Sequence, residues 1–166
     1  MKKIALNDIV ISNYLQPGDM GYVTYLHGKL YREEYQFGHQ FEAYVAEGLL
    51  EFYHQYDPKN NRVWVCRHKD QIIGFLVLMN RGKAAQLRYF IIEPAYRGIG
   101  LGRKLMEEYM TFLKACGYTS SYLLTTHELG AAAHLYTAHG FKLTEEKESA
   151  AFGRPLKEQR YDLSLE

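Results

Sequence analysis

The period of apolar positions changes along the chain, and each change predicts a different element. Residues 9–13 form a short β-branched run that Gln16-Pro17-Gly18-Asp19 halts, which predicts a strand, a turn and a helix capped by Asp19. Over residues 20–35, Val23, Leu26, Leu30 and Tyr31 step at the spacing of one helical face, and this helix is expected to end near Phe37-Gly38. Phe41, Tyr44, Val45, Leu49, Phe52 and Tyr53 repeat helically until Asp57-Pro58 breaks the pattern. At Arg62 the period falls to two. Val63 and Val65 alternate with Trp64 and Cys66, and a charged turn at His68-Lys69-Asp70 leads into the apolar run of residues 72–78. A turn at Asn80-Arg81-Gly82-Lys83 precedes a third strand that closes with Ile92 before Glu93-Pro94, so the three strands form a meander.

Beyond the meander come a glycine-rich turn, a helix to Gly117, a strand over 122–125, a helix to Gly140, and strands around 141–145 and 159–165. The order β α α β β β α β α β β predicts one α/β domain over residues 1–166, with a mixed sheet of about seven strands flanked by about four helices. Alternating strands and helices imply a parallel pair with a right-handed crossover, whereas the hairpins imply antiparallel pairs. No repeat, low-complexity tract or linker divides the chain.

Composition narrows the function. With 20 Lys plus Arg against 19 Asp plus Glu, the net charge of +1 supplies no field for nucleic acid or an anionic membrane. The longest apolar run, residues 72–79, falls far short of the ~20 residues of a membrane span. Only two cysteines occur, Cys66 and Cys116, too few for a disulfide framework or a metal knuckle, so a reducing, cytoplasmic location is expected. His127, His134 and His139 do not match a His-x-x-x-His helical pair, and no metal is assigned.

The strongest chemical signal is Arg97-Gly98-Ile99-Gly100-Leu101-Gly102-Arg103, between a strand and a helix. Leu101, Leu105, Tyr109, Phe112, Leu113 and Cys116 share one helical face, which puts the glycines at first-turn amides that have no intrahelical acceptor. Together with the helix dipole and Arg97 or Arg103, such amides suit a phosphate or pyrophosphate. A tight turn or close helix packing would also explain the glycines. A nucleotide-binding Walker loop would need Ser or Thr after Gly-Lys, and here the chain reads Gly102-Arg103-Lys104-Leu105. A dinucleotide fold wants an acid ~20 residues beyond the glycines, and no Asp or Glu lies between Glu108 and Glu128. A phosphate-bearing cofactor held mainly by backbone remains.

A second motif, Leu135-Tyr136-Thr137-Ala138-His139-Gly140-Phe141, follows at the end of the last helix. The two motifs together resemble the GNAT family of N-acetyltransferases, matching its (Gln/Arg)-x-x-Gly-x-(Gly/Ala) loop and its Leu-Tyr-x-x-x-Gly-Phe signature. A closer likeness is to the acetyltransferase half of bacterial proteins that fuse a MarR-type DNA-binding domain to such a module. It rests on Gln16-Pro17-Gly18-Asp19-Met20-Gly21-Tyr22, Tyr31-Arg32-Glu33-Glu34-Tyr35, Thr125-Thr126-His127-Glu128-Leu129 and Phe152-Gly153-Arg154-Pro155-Leu156. No winged-helix portion precedes them, so a free-standing module is the expectation. Leu129 stands seven residues before Tyr136, where many members carry an Asn that contacts the cofactor.

The resemblance implies acetyl-CoA as donor and no metal, with the pyrophosphate on Arg97, Gly98, Ile99, Gly100, Leu101, Gly102 and Arg103. It sets the thioester against the backbone of Phe90, Ile91 and Ile92, beside a splay between strands. The implied reaction is direct attack by the primary amine of a small molecule, amino acid or peptide in a ternary complex. Tyr136 is then the candidate acid for the departing thiolate. Glu33, Glu34, Glu93, His127 and Glu128 all qualify chemically as base; Glu128 is taken as the catalytic candidate, although Thr125-Thr126-His127-Glu128 also fits a helix capping box. Tyr31, Glu33, Glu34 and His127 are the candidate acceptor residues, in a cavity expected between the first two helices and the sixth and seventh strands, with Tyr35 and Phe152 contributing. A homodimer is left open. The rival reading is a non-catalytic acyl-CoA sensor or docking module.

Overall fold

The computed structural model describes residues 2–166. Its elements are β1 (Val10–Ser12), α1 (Asp19–Tyr35), α2 (His39–Gln55), β2 (Arg62–His68), β3 (Gln71–Arg81), β4 (Ala84–Ile92), α3 (Leu101–Ala115), β5 (Ser120–Thr126), α4 (Gly130–Ala138), β6 (Lys142–Ser149) and β7 (Leu156–Ser164). They follow the order read from the sequence. The strands form one sheet in the order β1-β2-β3-β4-β5-β7-β6, in which only β4 and β5 run parallel.

The alternation in β2 marks two buried faces. Val63 and Val65 pack under α1 and α2, Trp64 and Cys66 pack against α3, and all four are at most 1% exposed. Helices on both faces thus make two apolar cores. α1 contributes Val23, Leu26 and Leu30 to the first, while Leu101, Leu105, Met106, Tyr109 and Leu113 of α3 build the second.

Several boundaries differ from the expectation. Asp19 does not cap α1: the preceding Gly18 does, at φ +96°, and the Asp19 carboxylate accepts from the Gln16 amide at 2.8 Å and pairs with Arg67 at 2.6 Å. α1 stops at Tyr35 because Gln36 turns left-handed at φ 56°. β6 and β7 are longer than expected. β6 is exposed along nearly its whole length, so it carries no apolar period, and cross-strand polar contacts such as Gln159 to Glu146 at 2.7 Å accompany its backbone ladder.

Two irregularities of β4 shape what lies above it. Residues 84–87 pair with 120–123 of β5, after which the two strands part and β5 continues against β7 alone. In addition, Tyr89 and Phe90 together oppose Leu76 of β3, a β-bulge in which Tyr89 adopts φ 58°. One edge of β4 beyond Leu87 is therefore left without a strand partner.

Candidate active site

The gap between β4 and β5 opens into a cavity of about 550 Å³. Phe90, Ile91 and Ile92 form its floor, the turn before α3 one end, the start of α4 one side, and Tyr31, Glu34 and Tyr35 of α1 the other. The glycines of the turn divide the work. Gly98 and Gly100 sit at φ +78° and +90°, where a side chain strains the backbone, and Gly100 is the residue before the first turn of α3. Gly102 instead permits close packing, since a Cβ there would lie 3.3 Å from Leu135 and 3.5 Å from Ile92. Ile99 and Leu101 turn their side chains into the core and can offer only backbone to a ligand.

A smaller cavity of about 100 Å³ lies next to it and shares the walls Tyr31, Phe90 and Leu129. Phe37, Phe41, Tyr44 and Phe152 give it an aromatic lining between α1, α2 and the β6–β7 connection. Its sheet wall is β4 and β5 rather than the expected sixth and seventh strands, because the splay opens there; of β7 only Glu158 reaches it. Tyr35 lines the larger cavity instead.

Tyr136 borders the smaller cavity at 5% exposure, its ring among Phe90, Phe141 and Tyr161. Its hydroxyl makes no hydrogen bond among the described residues, and burial pushes its acidity well below that of an ordinary phenol. His27 faces the same space. Its Nδ1 donates to the Val23 carbonyl at 2.8 Å, which leaves Nε2 as an acceptor, and burial lowers its pKa to about 4. No motif marks His27, although it stands four residues after Val23 and three before Leu30 and so shares their buried face. Nor does any motif mark Arg88 and Tyr89 in the wall.

Of the expected acceptor residues, the structure brings Tyr31 and Glu34 to the cavities and leaves Glu33 and His127 outside both. Glu33 is exposed, and His127 accepts the Lys157 amide on Nδ1 at 3.0 Å. Glu34 holds Arg97 through two contacts of 2.8 and 3.2 Å, while Arg97 Nε donates to the Ile92 carbonyl. Arg103 pairs with Glu107 one turn along α3. Glu128 does not close a capping box: Thr125 and Thr126 belong to β5, and α4 begins at Gly130 without a side-chain cap. The Glu128 carboxylate instead pairs with Arg154, which also donates to the Tyr35 carbonyl at 3.2 Å, and Glu128 Oε2 is buried without a partner.

The larger cavity suits a long phosphate-bearing ligand. Left-handed glycines and outward amides meet it at the turn, Arg97 and Arg103 stand beside them, and the unpartnered β4 edge offers backbone groups to an extended amide chain. Among the described residues, no three His, Cys, Asp or Glu side chains are grouped to hold a metal ion, and no helix is long and apolar enough to cross a membrane.

Residues 59–143 match the family model described as the acetyltransferase (GNAT) domain. No curated protein matches the sequence. Among solved structures, an acetyltransferase from Streptococcus agalactiae 2603 is similar with TM-score 0.75 at 21% identity, covering 96% of this chain and 100% of that one. A GNAT family acetyltransferase from Staphylococcus aureus Mu50 gives 0.74 at 17%, with 95% and 99% covered. Another from Elizabethkingia anophelis, solved with acetyl-CoA bound, gives 0.63 at 14%, with 96% and 99% covered. At these identities the likeness is one of fold.

Proposed function

The chain belongs to the GNAT acetyltransferase family, and from that membership we propose that it moves the acetyl group of acetyl-CoA to a primary amine of a small molecule, amino acid or peptide. The observation that carries this reading is the junction of the two cavities at Tyr31, Phe90 and Leu129, with Tyr136 on the wall beside it. Donor and acceptor can meet there without a covalent enzyme intermediate. Tyr31, Tyr35, Glu128, Leu129 and Phe152, from the stretches that carry the likeness to MarR-fused modules, front the cavities.

Acetyl-CoA, when bound, supplies an acetyl carbon activated as a thioester. Backbone of the turn from Arg97 to Arg103 holds the pyrophosphate, and the free edge at Phe90, Ile91 and Ile92 aligns the pantetheine and polarises the carbonyl. Glu128, which lines the larger cavity, takes the amine proton, directly or through water. Tyr136 delivers a proton to the departing sulfur. Burial raises the pKa of the phenol, which keeps its proton in place until charge develops on the departing sulfur.

Replacing Tyr136 by Phe tests the assignment with little structural disturbance, because the hydroxyl it removes has no partner among the described residues. With an amine panel and free CoA as the readout, kcat and kcat/KM should fall together by about 10²-fold, with melting temperature and CoA affinity unchanged. Wild-type turnover in the folded variant, where chemistry limits the rate, would make Tyr136 only a wall. Absence of CoA release with every amine, alongside tight CoA binding, would favour the sensor.

A further inference from the structure

An under-partnered cation stands in the wall of the smaller cavity. Consecutive side chains of a regular strand alternate faces, but the extra residue of the β4 bulge sends both Arg88 and Tyr89 toward α2. The Arg88 side chain is only 8% exposed, and its guanidinium carbon lies 5.6 Å from the Tyr44 ring centre and 4.8 Å from that of Tyr89. Its polar contacts among the described residues are long ones, Nη1 to Glu51 Oε2 at 3.8 Å and to Met79 Sδ at 3.7 Å. Glu51 is shared, its other oxygen being held by Arg81 at 2.5 Å.

Beside this guanidinium, the Tyr89 hydroxyl is buried with no hydrogen-bond partner. Gly48 of α2 makes the room for both, since a Cβ there would fall 2.6 Å from Arg88 Nη2 and directly against that hydroxyl. Buried charges are ordinarily paired and buried hydroxyls ordinarily bonded. A forked guanidinium next to a phenol is built to receive a carboxylate. The remaining walls, Tyr31, Phe37, Phe41 and Phe152, suit an apolar body.

We propose that the acceptor is an amino acid with an apolar side chain: Arg88 and the Tyr89 hydroxyl bind its carboxylate, the aromatic walls enclose its side chain, and its amino group faces the shared wall at Phe90. This rests on the acetyltransferase reading above. The amino nitrogen bonds to the acetyl carbon and the carbon–sulfur bond breaks. The ammonium form of the substrate loses two protons in all, one replaced at sulfur and one released, leaving an N-acetyl amino acid and a free thiol. Polyamines are disfavoured, because a second ammonium would meet the Arg88 guanidinium.

The test compares acid and decarboxylated acceptors on the intact protein: phenylalanine against phenethylamine, and leucine against isopentylamine. The acids should be favoured by about 30-fold or more in kcat/KM. Arg88→Met should bring that ratio close to one while leaving CoA affinity unchanged, and Arg88→Lys should restore part of it. Equal use of the decarboxylated amines by the wild type, or discrimination that survives Arg88→Met, overturns the proposal. The wild-type comparison decides even if the variants fold poorly. Calorimetry with N-acetylphenylalanine against N-acetylphenethylamine separates the two readings. Tighter, Arg88-dependent binding of the carboxylated compound without any turnover supports the carboxylate site and sinks the transferase, whereas acetylation of amines with no carboxylate preference does the reverse.

Discussion

His27 is 2% exposed in α1, and burial depresses its pKa from an ordinary 6.5 to about 4. The unfolded chain then binds a proton at a pH where the folded protein does not. The stability due to a neutral His27 is fully present above pH 6.5 and is lost as pH falls toward 4, in total about 3 kcal/mol. Denaturant unfolding at pH 7 and pH 4.5 reads this out. The wild type should lose about 2 kcal/mol more between the two than a His27→Leu variant, whose side chain has nothing to titrate. Parallel losses would mean that the imidazole titrates alike in the folded and the unfolded chain. The same neutrality leaves Nε2 free to accept a hydrogen bond from a ligand in the smaller cavity.

Among the elements, β4 is where sheet geometry becomes a site. Its ladder with β5 ends at Leu87, its bulge reverses the facing of Tyr89, and α2 comes close enough over that bulge only because residue 48 is glycine. Gly48→Ala should therefore displace the Tyr89 hydroxyl and Arg88 and cost about 1–3 kcal/mol, the usual range for overpacking a filled interior. Urea melts measure the loss. Acceptor KM should rise, while CoA affinity should hold, since Gly48 is remote from the glycine turn. Unchanged stability and KM would show that the two side chains relocate freely and that α2 does not position them.

Across the whole molecule, Glu34 and Arg97 tie α1, which lies on one face of the sheet, to the turn that starts α3 on the other, and they do so at the edge of the larger cavity. The carboxylate both occupies the arginine and opposes an incoming anion. Glu34→Gln should tighten CoA binding by about fivefold at low salt, the scale of an exposed ion pair, with the gain shrinking as salt rises. Calorimetry at two salt concentrations checks this, and weaker binding would mean that Glu34 holds Arg97 in the productive position. Much of this architecture is legible in the chain. Periodicity and turn residues place the strands and helices in order, because most faces bury local, regularly spaced side chains such as Val23, Leu26 and Leu30. The glycines at 98 and 100 marked the turn, because left-handed backbone selects that residue. β6 escaped in part, since an edge strand exposed on both sides has no period to read. What joins residues far apart in sequence was decided only in three dimensions: Glu34 with Arg97, Glu128 with Arg154, and Arg88 beneath Gly48. A sequence records which side chains face a core, whereas a charge finds its partner through splay, bulge and helix approach, which exist only once the sheet has closed.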